Sequence, residues 1–459
     1  MSDAAGLFDR ALNRITTVWR DMAASVAGEE DQSLEAQMRA CLDGKGGEVS
    51  ARNRAAKLAQ GFRGLDQEGR VAFLRTLASF DADPDAVAAA YAKVRAAGDA
   101  MTRATATADL RRALEPPRVR LLTQFTSIPD GRKFLVDLRG FLMRVRGTDQ
   151  LLAALDTDLR GLLAAWFDIG FLELHRIDWH SPASLLEKLV DYEAVHAITS
   201  WRDLKNRLDS DRRCYAFFHP RMPGEPLIFV EVALVRGLSD SVQRLLDEDA
   251  PVQDAAHADT AIFYSISNCQ PGLAGISFGN FLIKKVVEEL SAEFRNLKTF
   301  ATLSPVPGFR RWLDATLKAA PHDLLSPEEE ASLLSALPAK SAAAALAGII
   351  ARAGWWGEPG LRKTAEPVLT RLCARYLLNE GDKKRARDPV AHFHLSNGAR
   401  VERLNMAGDI SDKGAAESAT LMVNYLYDPA KIEDYHEDYA GEGKRNASTL
   451  VRRLARGWG

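Results

Sequence analysis

Ala261-Ile-Phe-Tyr-Ser-Ile-Ser267, Gln270-Pro-Gly-Leu-Ala-Gly-Ile-Ser-Phe-Gly-Asn280 and Lys298-Thr-Phe-Ala-Thr-Leu303 decide the fold of the second half of this chain. The first run is rich in β-formers and predicts a strand. The second carries glycines at 272, 275 and 279. Leu282, Ile283, Val286, Val287, Leu290 and Phe294 then recur on one face at helical spacing. The third run returns as a strand and delivers Ser304 into Pro305-Val-Pro-Gly-Phe309. A glycine loop that opens a helix leaves backbone N–H groups free and aims the positive end of the helix dipole outward, which makes an anion site, most often for phosphate. The spacing is neither G-x-G-x-x-G nor G-x-x-x-x-G-K-[ST], so a dinucleotide fold and a P-loop ATPase are both excluded. A pyrophosphate such as that of coenzyme A remains, beside the plainer reading of an ordinary βαβ turn.

Composition sets the class. With 459 residues the chain is long enough for two or three domains. Its 60 lysines and arginines nearly cancel 62 aspartates and glutamates, so no general affinity for nucleic acid is expected. No apolar run approaches the roughly 20 residues of a membrane-spanning helix. The N-terminus carries Asp3 and Asp9 and no apolar signal core, so neither secretion nor mitochondrial import is expected. Cys41, Cys214, Cys269 and Cys373 form no C-x-x-C and no metal spacing. A cytoplasmic protein with reduced thiols is the expectation.

The texture changes once along the chain. Residues 1 to about 190 read as helical, with helices over Gln67–Ser79, Pro84–Ala97, Thr107–Leu114 and Gly147–Phe167. Ala100–Leu110 has little apolar periodicity beyond alanine and is expected to be exposed. Beyond 190 the pattern is mixed. Strands are expected over Cys214–His219 and Leu227–Val235, and helices over Ser239–Leu246, Pro327–Ala336, 338–351 and Thr364–Leu378. The fold class is therefore α+β, with an all-α N-terminal domain over 1–165 and a mixed α/β domain over 166–459. Val390-Ala-His-Phe-His-Leu-Ser396 and Ala399-Arg-Val-Glu-Arg-Leu-Asn405 flank Asn397-Gly398, a strong hairpin signal. As a strand, the first run puts His392 and His394 on one face. Three readings follow: a zinc pair, one structural and one acid–base histidine, or two ordinary half-buried histidines.

Several separated blocks resemble the malonyl-CoA decarboxylase family. They are Ser265-Ile-Ser267, Gly272-Leu-Ala-Gly-Ile-Ser-Phe-Gly279 with Leu282-Ile-Lys284, Leu303-Ser-Pro-Val-Pro-Gly-Phe309 and Pro389-Val-Ala-His-Phe-His-Leu-Ser-Asn-Gly398. Glu193-Ala-Val-His196, Arg212-Arg-Cys-Tyr215, Pro223-Gly-Glu-Pro-Leu227 and Pro367 with Arg371-Leu-Cys373 fit the same pattern. The resemblance implies a helical oligomerisation domain, then a catalytic domain like the Gcn5-related N-acetyltransferase fold, with coenzyme A between two splayed central strands. It further implies His394 as proton donor, Ser304 engaging the malonyl group, His392 as structural, and a homo-oligomer, either a dimer or a dimer of dimers. The acetyltransferase loop Q/R-x-x-G-x-G/A is not reproduced after Gln270.

The chemistry fits the residue inventory. A carboxylate β to a thioester needs no other electron sink, so no cofactor and no metal is expected. Ala274, Gly275, Ile276, Ser277, Phe278, Gly279 and Asn280 are the expected pyrophosphate loop for malonyl-CoA and acetyl-CoA. Histidine titrates near neutrality and is the natural acid for the carbon. The alternatives are an acyl-CoA-dependent acyltransferase on the same fold and a non-catalytic coenzyme A-binding scaffold.

Overall fold

The computed structural model describes residues 33–43, 47–276, 281–319 and 324–456. Its internal contacts divide the chain into two compact units. One comprises Met1–Leu172 with His219–Glu225 and Gln270–Ser277; the other comprises Glu173–Phe218, Pro226–Cys269 and Phe278–Gly459.

The first unit is helical, as its sequence predicts. Aspartates cap the helices Gln67–Ala78, Pro84–Ala96, Ala100–Leu114 and Gln150–Trp166, each accepting a first-turn N–H through its side chain. Phe62, Phe73, Phe125 and Phe134 fill the core in edge-on and tilted ring contacts. The pair Pro84–Ala96 and Ala100–Leu114 buries only Ala90 and Ala106, which for the second helix matches the exposure expected over Ala100–Leu110. Arg139 is buried, pairs with Asp156 and donates to the carbonyls of Gly272 and Ala274 at 2.6 and 2.9 Å. The short turn Pro271–Leu273 thus lies against the helix Gly131–Val145. A Cβ on Gly272 would sit 1.8 Å from the Val136 carbonyl, so this glycine is fixed by close packing.

The second unit is built on one eight-stranded sheet: β1 Glu173–Ile177, β2 Arg212–Phe218, β3 Ile228–Val235, β4 Thr260–Asn268, β5 Thr299–Thr302, β6 Ser304–Pro305, β7 Arg400–Asn405 and β8 Met422–Leu426. The order is β1-β2-β3-β4-β5-β8-β6, with β7 paired to β8. Among the described strands only β4 and β5 pair in parallel, in register from Thr260↔Thr299 to Phe263↔Thr302. The Leu303 N–H still reaches the Phe263 carbonyl, and there the two strands part. β4 runs on along β3, whereas Ser304–Pro305 turns to pair with β8. This is the parting of parallel central strands that the resemblance implies. Ile262, Tyr264, Ala301 and Leu303 share one core cluster, and alternation sends Phe263 and Thr302 to the opposite face; a bulge in β4 opposite Glu231 and Val232 returns Ser265 and Ser267 to the side of Ile262.

Three expectations are corrected. Residues 389–396 form a helix, not a strand, so the Asn397-Gly398 hairpin does not exist. Asp388 caps that helix, accepting the Val390 and Ala391 N–H groups, and Pro389 occupies its first turn. At its other end Gly398 has φ +78°, and the Ala399 N–H returns to the His394 carbonyl, a glycine-terminated helix stop. Asn-Gly serves both hairpins and helix ends, and seven residues are too few for periodicity to separate the two. β1 and β8 were not anticipated; β1 lies in the stretch read as helical, and β8 is missed although Val423, Tyr425 and Tyr427 are β-formers at period two. The helices over Pro327–Ala336, Ala342–Ile350 and Pro359–Asn379 fall where the pattern put them.

Candidate functional site

Ser304 and His394 meet inside the second unit. The short β6 presents Ser304 where β5 has just left β4, and the helix Pro389–Ser396 presents His394. Ser304 Oγ lies 2.9 Å from His394 Nε2 and 2.9 Å from Thr302 Oγ1. His394 Nδ1 lies 2.8 Å from the Tyr427 hydroxyl, and its ring stacks on Tyr425 at 4.4 Å. All five side chains are buried. Thr302, Ser304, His394 and Tyr427 form a single file of hydrogen bonds. Ser304 donates its one hydroxyl hydrogen to Thr302, so His394 Nε2–H donates to Ser304 Oγ and Nδ1 accepts from the Tyr427 hydroxyl.

The surroundings fix this file. The Tyr425 N–H donates to Thr302 Oγ1 at 3.2 Å, and Asn424 Nδ2 donates to the Thr302 carbonyl at 2.8 Å. The Val306 N–H donates to Ser418 Oγ and the Gly308 N–H to Asp388 Oδ2, which pin the Pro-Val-Pro-Gly turn behind Ser304. Burial pushes the His394 imidazole down to about 3, so it is neutral at physiological pH. Burial likewise raises the Asp388 carboxyl, against the N–H groups of Ala391, Gly308 and Val390 that hold it down. Burial also raises the Tyr427 phenol well above its ordinary value.

His392 faces elsewhere. Residues two apart on a helix do not share a face, and His392 Nδ1 meets the Tyr439 hydroxyl at 2.8 Å. The zinc-pair reading therefore fails on geometry, and among the described residues no group of histidines, cysteines or carboxylates is arranged to hold a metal.

Other blocks singled out in the sequence are joined by polar contacts. Ser265 Oγ donates to the Glu193 carboxylate at 2.7 Å and Ser267 Oγ at 3.2 Å; the same carboxylate takes the Val195 and His196 N–H groups. Arg213 is bound by Glu293 through two nitrogens, and Arg371 by Glu329. These pairs hold elements together. Tyr427, Tyr425 and Asp388 are the residues that sequence reasoning missed. The Asp388-Pro389 step was a readable helix start; the tyrosines read as strand residues and carried no local signal of a functional role.

The glycine loop lies mostly in the first unit. Gly275 has φ +74° with open space where a Cβ would project. The Ala274 and Ile276 N–H groups donate within the turn, to the Pro271 and Leu273 carbonyls. Ser277, Phe278, Gly279 and Asn280 lie outside the described residues. The four cysteines are buried and none is joined in a disulfide among the described residues, and Cys269 packs in the core beside Phe229.

Comparison with known proteins makes this chain a decarboxylase, that is, a carboxy-lyase. Residues 170–458 match the malonyl-CoA decarboxylase C-terminal domain and residues 80–167 the malonyl-CoA decarboxylase N-terminal domain. The chain belongs to the malonyl-CoA decarboxylase family. It is similar to the mitochondrial malonyl-CoA decarboxylase of Anser anser anser, with 39% identity over 82% of this chain and 78% of the relative. The mitochondrial malonyl-CoA decarboxylase of Mus musculus is 37% identical over 75% of this chain and 72% of its own. Among solved structures, malonyl-CoA decarboxylase from Rhodopseudomonas palustris superposes with a TM-score of 0.83 at 42% identity, over 92% of this chain and 98% of that one. The Agrobacterium vitis enzyme gives 0.83 at 41%, over 92% and 99%. No helix among the described residues is long and apolar enough to cross a membrane.

Proposed function

We propose that this protein converts malonyl-CoA to acetyl-CoA and CO₂, with His394 as proton donor and Ser304 engaging the malonyl group. The observation that carries the reading is the 2.9 Å contact between Ser304 Oγ and His394 Nε2, buried where the parallel strands part. When the bond between Cα and the carboxylate breaks, its electron pair moves into the thioester as an enolate and CO₂ leaves. Cα then takes up one proton, which the reaction consumes. The thioester carries the electrons, so the proposal includes no cofactor.

A neutral imidazole is a weak acid for this task. Burial is what lowers its pKa, and a malonyl carboxylate brought against Nε2 supplies the counter-charge that raises it again. His394 therefore takes up a proton with the substrate and passes it to Cα, and Tyr427 on Nδ1 steadies the ring in both states. The Ser304 hydroxyl turns from Thr302 to the malonyl group; a donor on a developing oxyanion is worth about 3–4 kcal/mol.

The proposal assigns the coenzyme A pyrophosphate to the loop 274–280, supported by the positive φ and open space at Gly275. It takes residues 166–459 as catalytic and 1–165 as mediating self-association to a dimer or a dimer of dimers. Exposed Tyr91, Met101 and Leu114 on the helix pair that buries so little support the second assignment. Buried thiols suit a reducing, cytoplasmic setting. The test is to supply malonyl-CoA with no acceptor and follow CO₂ and acetyl-CoA. One-to-one formation of both is expected; product appearing only when an amine acceptor is added would replace this reading with acyl transfer.

A further inference from the structure

The first unit contains a cavity of about 310 Å³ between the C-terminal end of the helix Gly47–Gly64 and the helix Gly131–Val145. Phe62, Phe134 and Phe141 line it, and Arg63, Arg70 and Arg144 surround them. Each guanidinium lies over a ring: Arg63 over Phe134 at 5.5 Å, Arg70 over Phe62 at 5.4 Å and Arg144 over Phe141 at 5.7 Å. Arg70 is further held by the carbonyls of Phe62 and Arg63. Among the described residues none of these three arginines makes an ion pair. The one carboxylate on the wall, Asp137, is bound to Lys133 at 2.5 Å. The cavity is therefore an aromatic-floored site with unneutralised positive charge.

Pro271 and Gly272 form another part of its wall. They lead directly into Gly275, on the loop assigned above to the pyrophosphate of coenzyme A. A nucleotide whose pyrophosphate lies on that loop has its adenosine within the same stretch of surface. Stacked guanidinium planes suit a purine, and an exposed guanidinium pairs with a phosphate through two N–H groups. From the charge, the rings and this adjacency we infer that the cavity holds the 3′-phosphoadenosine end of coenzyme A, with Arg63 and Arg144 on the 3′-phosphate. The inference rests on the coenzyme A reading of the loop.

The full-length protein tests it by calorimetry with three probes: coenzyme A, 3′-dephospho-coenzyme A and adenosine 3′,5′-bisphosphate. Wild type should bind coenzyme A about tenfold or more tightly than the dephospho form, the loss of a charge-assisted contact. It should also bind the bisphosphate alone, in competition with coenzyme A. In Arg63→Gln/Arg144→Gln the preference for the 3′-phosphate should vanish, and in Arg63→Lys/Arg144→Lys it should survive in part. A wild type indifferent to the 3′-phosphate overturns the inference. So does a glutamine variant that keeps the preference, or one that weakens both forms equally. A change of mass in light scattering with the preference intact makes the cavity a subunit contact and also overturns it. Wild-type turnover of malonyl-pantetheine, which lacks the nucleotide, tests the proposed reaction by itself, so failure of the two readings is distinguishable.

Discussion

Asp388 accepts the Gly308 N–H on one carboxylate oxygen at 3.1 Å and caps the helix that carries His394 with the other. Gly308 closes the turn that begins at Ser304, so a single buried carboxylate joins the two segments that bring serine and histidine together. Tyr376 donates to the same oxygen as Gly308, and its hydroxyl would lie 2.2 Å from any Cβ at that glycine. We expect Asp388→Ala to lose the cap and leave buried donors unpaired, about 2–4 kcal/mol together. Asp388→Asn keeps an acceptor and should cost less. Urea denaturation with turnover on the surviving fold checks the ranking.

His394→Ala should remove most of kcat and leave coenzyme A binding close to wild type, because a proton donor acts mainly in the transition state. His392→Ala loses a bond to Tyr439 and should be milder. Steady-state kinetics with product binding measures both. Equal large losses in kcat would return His392 to the reaction.

Ser304→Ala should lower kcat by orders of magnitude at nearly unchanged stability. Its hydroxyl bonds Thr302 and His394 and caps no helix. Near-full activity in a folded Ser304→Ala protein would move the malonyl contact to another residue.

Two glycines of one loop should behave differently. Gly272→Ala forces a methyl group onto the Val136 carbonyl and should destabilise the helical unit by about 1–3 kcal/mol. Gly275→Val meets open space but must hold φ near +74°, so its main effect should be a higher KM for malonyl-CoA. Thermal denaturation beside KM separates strain from binding; a Gly275→Val protein with unchanged KM would make the loop a plain turn.

Acid should cost stability through His394. Its pKa falls from 6.5 to about 3 on folding, so between those values the unfolded chain binds the proton and the folded chain does not. The contribution is fully present above 6.5 and is lost as pH falls from there towards 3. His196, lowered to about 4 by burial, adds to the same slope. His394→Gln should therefore show a shallower fall in urea midpoint on acidification than wild type. Parallel pH profiles would mean that the imidazole is not neutral in the folded protein.

The sequence by itself determined the helical first half, the strand–loop–helix–strand unit from 261 to 303, and the two residues at the candidate site's centre. These are legible because helix caps, hydrophobic periodicity and clustered β-formers act within a few residues, and because separated family blocks name positions directly. Tertiary structure decided what those residues face. Over 389–396 the local pattern fits period two or period three-and-a-half, and capping by Asp388 together with the Gly398 stop settles it as helix. That choice separates His392 from His394. The partners of His394 come from β6, β8 and the residue just beyond β8, brought together only where β5 turns away from β4. Burial, which makes the imidazole neutral, belongs to no residue alone; it arises when distant strands and one short helix close over it.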